Sequence, residues 1–357
     1  MKPFKPILFL VFLTKALCSQ HNAYFFKSDW ENVKLEKDYI PTKDDTCITF
    51  ASVRSCSEDE KIFMGYDCDK NVNIKYFNIY FNGDKWRAVP KKSLQECLNG
   101  KDSLHAVTFV EGFGRTFLTA LDRATLFSRQ YGYHIIMFDW PTYRPAMKSG
   151  KNYKLTLKES ETLAPYFSQF LSELNTLKNS QPQTFKTLSL LMHSMGNLLM
   201  MHAVKGNQIT VKDTLFNSII MNSSCVPQKK HRVWVEKISI QKHLYITRNN
   251  RDRTLNGAKI ISGFKRQLGE RPRKPYAKNA LYLNFSRVLD REHNYFLYPS
   301  VLKRKPYIKE LYRVLLIGKE PDFNDENRYI KKPKRHAIDL FDLEEAQKGG
   351  ISLGVGM

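Results

Sequence analysis

From Leu104 onward, short apolar segments alternate with longer segments of helical periodicity. Short apolar runs of this kind are typical of strands that are buried on both faces, with helices packed between them. The alternation therefore predicts an α/β fold, with a mostly parallel central sheet and helices on both faces. Strands are predicted at residues 46–53, 72–81, 104–110, 133–138, 188–192, 215–221, 243–247 and 281–285, and helices at residues 117–129, 157–177 and 195–204.

The apolar periodicity also indicates where the domain begins and ends. We expect one domain over residues 45–318, preceded by a leader over residues 19–44. Residues 319–357 contain a basic cluster, an acidic run and a Gly-rich end without apolar periodicity, which is typical of a charged, partly flexible tail.

Residues 1–18 have the pattern of an export signal. Lys2 and Lys5 precede an apolar stretch over residues 7–13, which is too short to span a bilayer. Small residues at the positions that direct cleavage allow a cut after Cys18, so we expect a periplasmic or secreted protein. A lipoprotein anchored at Cys18 is the alternative, which the residues just before that cysteine favour less.

The cysteines support export. Four of them lie within one segment and predict two disulfides, with three possible pairings; free buried thiols are the alternative. No C-x-x-C pair is present and the histidines have no ligand partners at useful spacing, so neither a metal site nor a cofactor is predicted. These cysteines are Cys47, Cys56, Cys68 and Cys97, whereas Cys225 stands alone as a candidate buried thiol.

The chain is strongly basic. Lys and Arg total 57 against 35 Asp and Glu, a formal net charge of +22, and 42% of the residues are hydrophobic, which excludes a disordered protein. Such an excess points to an anionic surface or an anionic polymer as a partner. Basic runs at residues 248–253 and 265–274 flank Asp252, so a cationic rim beside that residue is a hypothesis. No nucleic-acid-binding motif is present, so nucleic acid is not predicted.

A nucleophile elbow is predicted at Ser194, between a strand and a helix. An elbow holds its serine in a strained turn, so the flanking positions must be small. Gly196 follows that rule and Met192 does not. The alternative is an ordinary serine at the start of a helix.

Asp252 and His293 follow two later strands, in the order serine, acid, histidine that hydrolases of this class use. Both lie beyond the carboxyl ends of strands, where α/β sheets bind their ligands. A serine hydroxyl needs an imidazole to accept its proton, and a carboxylate orients that imidazole. The alternatives are a turn residue for Asp252 and a loop histidine for His293.

A Gly-rich turn closes the strand that ends at residue 110. It can aim the backbone N–H of Phe113 at a developing oxyanion, and the N–H of Met195 would supply the second donor. The predicted pocket residues are Glu111, Gly112, Trp140 and His193.

These motifs resemble those of a bacterial α/β-hydrolase family long classed as a domain of unknown function, which has H-G-(F/Y), W-P, H-S-M-G-N, D-x-x-L and H-x-Y-F in this order. The resemblance covers roughly residues 45–300 and implies the α/β-hydrolase fold, with Ser194 as nucleophile, His293 as general base and Asp252 as its orienting acid. The matching segments are Glu111-Gly112-Phe113, Trp140-Pro141, His193-Ser194-Met195-Gly196-Asn197, Asp252-Arg253-Thr254-Leu255 and His293-Asn294-Tyr295-Phe296.

The sequence departs from this family at three places. Glu111 stands where the family has a histidine, Met192 replaces a small residue, and Asn222-Ser223-Ser224-Cys225 stands where the family often has Ala-Pro-Asp. A carboxylate that points at the oxyanion would oppose catalysis, whereas one turned away would be harmless.

The predicted function is an exported serine hydrolase, a carboxylesterase or lipase-like enzyme that acts on a small-molecule or lipid-like acyl substrate. The alternative is a catalytically degenerate protein of the same fold that binds an anionic partner through its basic surface. Glu111 and Met192 are the residues that favour the alternative.

Overall fold

A computed structural model describes residues 33–56, 64–69, 71–83, 85–326, 328–332 and 337–340. The predicted export signal lies outside the described residues, so export, cleavage and lipidation at Cys18 stay predictions. None of the helices in these ranges is long and apolar enough to cross a membrane.

The described chain forms one large sheet with helices packed on it and a separate strand pair. The strands are β1 (Val33–Leu35), β2 (Thr46–Ser52), β3 (Arg54–Cys56), β4 (Met64–Cys68), β5 (Lys75–Phe81), β6 (Trp86–Lys91), β7 (Leu104–Val110), β8 (His134–Asp139), β9 (Phe185–His193), β10 (Phe216–Asn222), β11 (Gln241–Arg248), β12 (Leu281–Asn284), β13 (Tyr329–Lys332) and β14 (Ala337–Leu340). The helices are α1 (Leu94–Leu98), α2 (Phe117–Tyr131), α3 (Ser149–Thr162), α4 (Ala164–Ser180), α5 (Asn197–Lys205), α6 (His231–Val235), α7 (Arg253–Ile261), α8 (Pro299–Arg304) and α9 (Pro306–Leu316).

The strand order in the described sheet is β1-β6-β5-β2-β8-β7-β9-β10-β11-β12-β14-β13. Within this order, all neighbouring pairs in the stretch β2-β8-β7-β9-β10-β11-β12-β14 are parallel. Towards the two ends of the sheet, the pairs β2-β5, β5-β6 and β13-β14 are antiparallel. The carboxyl ends of β7, β9, β11 and β12 therefore lie along one edge of the sheet. The predicted fold class, a mostly parallel sheet with helices on both faces, is confirmed.

Two apolar cores cover the faces of the sheet. On one face α2 and α9 bury side chains such as Phe127 and Leu315, and on the other α4 and α5 bury Phe167 and Leu199. Full burial of each such side chain stabilises the fold by about 1.5–3 kcal/mol. The strands between these layers are buried on both faces, which explains why they are continuous apolar runs in the sequence.

The long helix predicted at residues 157–177 is wrong in one respect, because two helices stand in its place. α3 ends at Thr162 and α4 begins at Ala164, with Leu163 between them. Pro165 lies in the first turn of α4, where its missing N–H costs no hydrogen bond. Inside one continuous helix the same residue would remove a hydrogen bond.

Both ends of the described chain add strands to the sheet, so part of the predicted leader and part of the predicted tail belong to the folded domain. β1 pairs with β6 through Val33 and Trp86, and β14 pairs with β12 through Ile338 and Leu283. Unpaired N–H and C=O groups on an edge strand favour pairing with another segment. This pairing depends on tertiary contacts, so the sequence of a short charged segment does not reveal it.

No disulfide joins the five described cysteines, so the structure contains neither of the two expected disulfides. In the β3–β4 ladder Cys56 lies opposite Met64 and Cys68 lies opposite Arg54, so these two cysteines are not cross-strand neighbours. Cys225 is buried, as expected for a lone thiol, and burial raises its pKa to about 12.

The pairing of β14 gives a direct test of the tail. Ile338 is 5% exposed, whereas Ile40 is 84% exposed. We expect Ile338→Asp to lower the free energy of unfolding by about 2–5 kcal/mol, because a charge would replace a buried apolar side chain. Ile40→Asp should change it by less than about 0.5 kcal/mol. Urea denaturation of both variants measures this, and equal stabilities would mean that the tail does not pack on the sheet.

Candidate active site

Ser194 lies at a sharp turn between β9 and α5. Its φ is +52°, in the left-handed region that non-glycine residues rarely adopt. A single turn of 3₁₀ helix, Ser194–Gly196, follows directly and leads into α5. This strained strand–turn–helix geometry is that of a nucleophile elbow.

Two glycines make room for the turn. A Cβ on Gly112 would lie 2.8 Å from Ser194 Cβ and 2.9 Å from Met195 N, and one on Gly196 would lie 2.6 Å from Val110 O. Real Cβ atoms do not approach so closely, so both positions require glycine. Met192, the residue that breaks the small-residue pattern, points into the apolar core and is fully buried.

Side-chain and backbone donors hold the carbonyl groups around the elbow. Asn197 Nδ2 donates to Met192 O at 2.9 Å and to Ser194 O at 3.0 Å. The N–H of Cys225, which follows β10, also donates to Ser194 O, at 3.0 Å. The backbone of Ser194 is therefore held both by α5, through Asn197, and by the segment after β10, through Cys225.

Asp252 and His293, which are 41 residues apart in sequence, form a hydrogen-bonded pair. His293 Nδ1 lies 2.6 Å from Asp252 Oδ2, and both residues are buried. A carboxylate only accepts hydrogen bonds, so Nδ1 carries the proton and Nε2 is left with its lone pair. Asp252 Oδ1 accepts from the N–H groups of Thr254 and Leu255 at the start of α7, which fixes the carboxylate.

The acids nearest to His293 in sequence do not take this place. Asp290 is exposed and pairs with Arg251 at 3.2 Å, and Glu292 pairs with Arg304 at 3.2 Å. Asn249 Nδ2 donates to the carbonyl oxygens of Asp290 and Glu292, so the loop after β11 and the loop after β12 are tied together.

The His293 loop lies against the elbow. The rings of His193 and His293 have their centroids 4.6 Å apart. Ser223 Oγ donates to His293 O at 3.1 Å, two residues before Cys225, whose N–H holds Ser194. Among the described residues Ser194 Oγ and His293 Nε2 have no hydrogen bond to each other. Such contacts are often long without substrate and tighten when it binds.

The Gly-rich turn after β7 faces the elbow through Gly112. The N–H of Phe113 donates to no other described residue, whereas its neighbour Gly114 donates to Thr142 O at 3.2 Å. Thr142 Oγ1 also accepts from the N–H of Arg115 at 3.0 Å. The turn is thus anchored on one side, and the N–H of Phe113 stays available beside Met195.

Glu111 begins this turn, and its carboxylate lies in a buried cluster of charges. Its carboxylate binds Arg123 Nε of α2, lies 3.0 Å from His193 Nδ1 and accepts from the N–H of Gly112 at 3.0 Å. Arg115 Nε lies 3.7 Å away. Arg123 also donates to Asn294 Oδ1 at 2.8 Å, next to His293. One ion pair therefore links the elbow, the Gly-rich turn and the His293 loop.

The charges in this cluster are set by burial and by each other. Burial would raise the pKa of Glu111, but Arg123, then His193 and Arg115, hold it well below its usual value. Burial lowers the pKa of His193 to about 3, although Glu111 acts in the opposite direction. His193 is therefore neutral at pH 7, with its Nδ1 proton donated to Glu111, and its Nε2 has no partner among the described residues.

Trp140, one of the predicted pocket residues, is buried. Its indole N–H donates to Glu111 O at 2.9 Å. Arg54 and Asp139 form a buried ion pair, with 2.8 Å between Arg54 Nε and Asp139 Oδ2. Arg54 also donates a hydrogen bond to Trp140 O at 2.7 Å. These contacts hold the backbone that carries the Gly-rich turn.

Sequence reasoning missed Arg123, which joins the site from α2. A signal for it exists, because Arg123 is three residues after Ala120 and four before Phe127, on the apolar face of the predicted helix. A charge at such a position needs a buried partner. Glu111, the acid that breaks the family pattern, is that partner.

No group of three or more histidine, cysteine or acidic side chains in the described ranges is arranged to hold a metal ion. The chemistry that this arrangement can perform is the activation of a hydroxyl by an imidazole–carboxylate pair.

Comparison with known proteins gives one family. The model of a family described as an alpha/beta hydrolase of unknown function, DUF900, matches residues 87–303. The matched residues include Ser194, Asp252 and His293. No curated protein gives a significant match.

Several solved structures are similar at low identity. Brefeldin A esterase, described as a bacterial homologue of human hormone sensitive lipase, is 10% identical, with a TM-score of 0.37 over 89% of this chain and 87% of that chain. The Pyrococcus furiosus esterase Pf2001 is 14% identical, with a TM-score of 0.30 over 79% and 98%. A structure from work on two fungal esterases of Rhizomucor miehei is 9% identical, with a TM-score of 0.34 over 88% and 93%.

Loss of the Glu111 carboxylate should destabilise the protein. Glu111→Gln leaves Arg123 buried without its counter-ion, which we expect to lower the free energy of unfolding by about 3–5 kcal/mol. Glu111→Gln with Arg123→Met should recover part of that loss. Glu36→Gln, which breaks the more exposed pair with Arg87, should cost less than about 1 kcal/mol. Urea denaturation compares the four proteins, and equal effects of the two single substitutions would refute the role of the buried pair.

The neutral state of His193 predicts loss of stability in acid. Its folded pKa of about 3 lies below its ordinary value of 6.5, so the unfolded chain binds the extra proton between these pH values. Stability from this group is full above pH 6.5 and is lost as the pH falls towards 3. Between pH 7 and pH 5 the loss should be about 2 kcal/mol. His193→Gln should reduce the pH dependence by that amount in urea titrations, and an unchanged dependence would contradict it.

Proposed function

Since the chain belongs to the DUF900 family of α/β hydrolases of unknown function, as its motifs predicted, we propose that it is a serine hydrolase. It would transfer an acyl group from an ester to water through Ser194, His293 and Asp252. Export is part of the proposal on the evidence of residues 1–18 alone.

The observation that carries the proposal is the buried pair of His293 and Asp252 beside a serine of positive φ. The 2.6 Å hydrogen bond at Nδ1 leaves Nε2 as the basic nitrogen. Ser194, which adopts φ +52°, lies next to His193, whose ring is 4.6 Å from that of His293. The three residue types occur in the chain order and at the strand ends that an α/β hydrolase requires.

The reaction would have two halves. Ser194 Oγ attacks the ester carbonyl while its proton passes to His293 Nε2, and the alcohol leaves with that proton as the acyl-enzyme forms. Water then attacks the acyl carbon and gives a proton to His293 Nε2. His293 returns this proton to Ser194 Oγ as the bond to the acyl group breaks and the carboxylic acid is released. The N–H groups of Phe113 and Met195 would hold the carbonyl oxygen when it is negative.

The buried charges support this chemistry electrostatically. His293 becomes a cation in each half-reaction, and Asp252 stabilises it. A second cation beside it would oppose that step. Burial keeps the neighbouring His193 neutral, and Arg123 balances the charge of the Glu111 carboxylate.

An ester or a lipid-like acyl group is the substrate class we propose. Phe113 is half-buried and packs edge-on against Tyr153, with ring centroids 5.6 Å apart. Phe113 thus provides partly exposed apolar surface next to Gly112, which touches the elbow, and the buried Tyr153 supports its ring. An acyl chain would be held there by burial of apolar area.

The alternative, a protein without catalytic activity, rested on Glu111 and Met192. Glu111 is paired with Arg123 and Met192 lies in the apolar core. These contacts support structural roles for both side chains. The alternative, in which the basic surface binds an anionic partner without catalysis, is distinguished by the experiment that follows.

An activity-based probe tests the proposal. A fluorophosphonate reacts with an activated serine, so the wild type should be labelled and Ser194→Ala should not. Ser189→Ala, in the middle of β9 and five residues before Ser194, should label like the wild type. Ester hydrolysis should fall at least about 10⁴-fold in Asp252→Asn, because the imidazole would take the wrong tautomer, while asparagine still caps α7. Labelling of a well-folded Ser194→Ala variant, or its absence in the wild type, would refute the proposal.

A further inference from the structure

Two adjoining cavities open at the surface near the carboxyl end of β11. The first has a volume of about 630 Å³ and the second about 570 Å³, and they share Arg273 and Lys274. Neither is lined by Ser194, Asp252 or His293. We call the first the basic cavity; it is lined by Gln228, Arg248, Arg266, Arg271, Pro272, Arg273, Lys274 and Tyr276.

The basic cavity has positive side chains and no carboxylate in its lining. Arg266, Arg271, Arg273 and Lys274 have no carboxylate oxygen within 4.0 Å in the described part of the chain. Arg248 lies 4.0 Å from Asp339. The cavity therefore concentrates positive side chains and carries a positive potential that would attract an external anion.

Three basic runs that are separate in sequence meet here. The N–H of Gln228 donates to Arg266 O at 3.1 Å and the N–H of Leu268 donates to Val226 O at 2.8 Å, which holds residues 226–228 beside residues 266–268. Residues 229–232 and Arg248 complete the surroundings. Backbone hydrogen bonds therefore hold together the segments that carry these positive side chains.

The attachment of this segment is tight. The N–H of Gly269 donates to Ser224 O at 2.8 Å, and a Cβ on Gly269 would lie 2.3 Å from Ser224 N. Asn249 in turn donates to Gly269 O at 2.8 Å. The wall of the cavity is thus built on the ends of β10 and β11, although its lining is distinct from the proposed catalytic residues.

We propose that the basic cavity binds an anion that carries at least two adjacent phosphate groups. Arginine forks bind phosphate oxygens in pairs, and several of them around one cavity match several phosphates better than a single carboxylate. The volume lies within the range of about 300–1,000 Å³ that small-molecule sites occupy. The phosphates would belong either to a soluble molecule or to a lipid head group.

Binding of inorganic tripolyphosphate to the full chain, measured by titration calorimetry, tests the site. Arg271 and Arg273 are exposed, so Arg271→Gln with Arg273→Gln removes two charges without opening the core. We expect this variant to bind at least tenfold more weakly than the wild type. The control removes two exposed lysines, one at the start of β9 and one before β10, in Lys186→Gln with Lys212→Gln, and should bind like the wild type.

Equal affinities of the wild type and the Arg271→Gln, Arg273→Gln variant would overturn the proposal, as would an equal loss in the lysine control. Fluorophosphonate labelling should be the same in all three proteins, so failure of this proposal is distinguishable from failure of the proposed hydrolase activity.

Vesicle sedimentation identifies the source of the phosphates. Vesicles of phosphatidylcholine with a bisphosphorylated phosphatidylinositol should sediment the wild type, but not the arginine variant, if a lipid head group is the ligand. Binding of tripolyphosphate without sedimentation would assign a soluble ligand. Sedimentation of the arginine variant equal to that of the wild type would overturn the lipid source.

Discussion

The buried ion pair between Glu111 and Arg123 is the contact on which the arrangement of the site depends. A lone charge in this position would be strongly destabilising, so each member requires the other. Through the pair, α2 is connected to the Gly-rich turn at Gly112, to the elbow at His193 and to the His293 loop at Asn294. Three loops that follow different strands are therefore held in one geometry by a single carboxylate and a single guanidinium.

The parallel sheet explains why these loops meet at all. β7, β9, β11 and β12 end at the same edge, so the turns that follow them are neighbours in space although they are distant in sequence. Close contact then requires glycine at two points, Gly112 and Gly196, where any Cβ would meet backbone or Ser194. The sheet brings the residues near one another, and the glycines and the buried charges determine their exact approach.

Much of this was predictable from the sequence, because the relevant signals are local. Leu104–Val110 is a strand with the predicted bounds, and the spacing of Asp252 and His293 after strands indicated that they would lie at one edge. The orientation of Glu111 was not predictable, because it depends on Arg123 in another element. The break before Pro165 has a local signal, the proline itself, which the apolar periodicity over residues 157–177 outweighed in the prediction. The pairing of β14 depends on tertiary context, which the sequence of a charged tail does not show.

The charged residues of this chain, whose net charge is +22, fall into two groups: buried cations paired with carboxylates, and exposed cations on the surface. Inside, each buried cation that was described near the site has a carboxylate close by, as in Arg54–Asp139 and Arg123–Glu111, since unpaired charges are costly there. Outside, Arg266, Arg271 and Arg273 of the basic cavity are exposed to water, where solvation makes a charge without a carboxylate partner inexpensive. An anion in that cavity would therefore neutralise exposed positive charge. The buried ion pairs near His293 would stay as they are, so the electrostatic environment of His293 would not change.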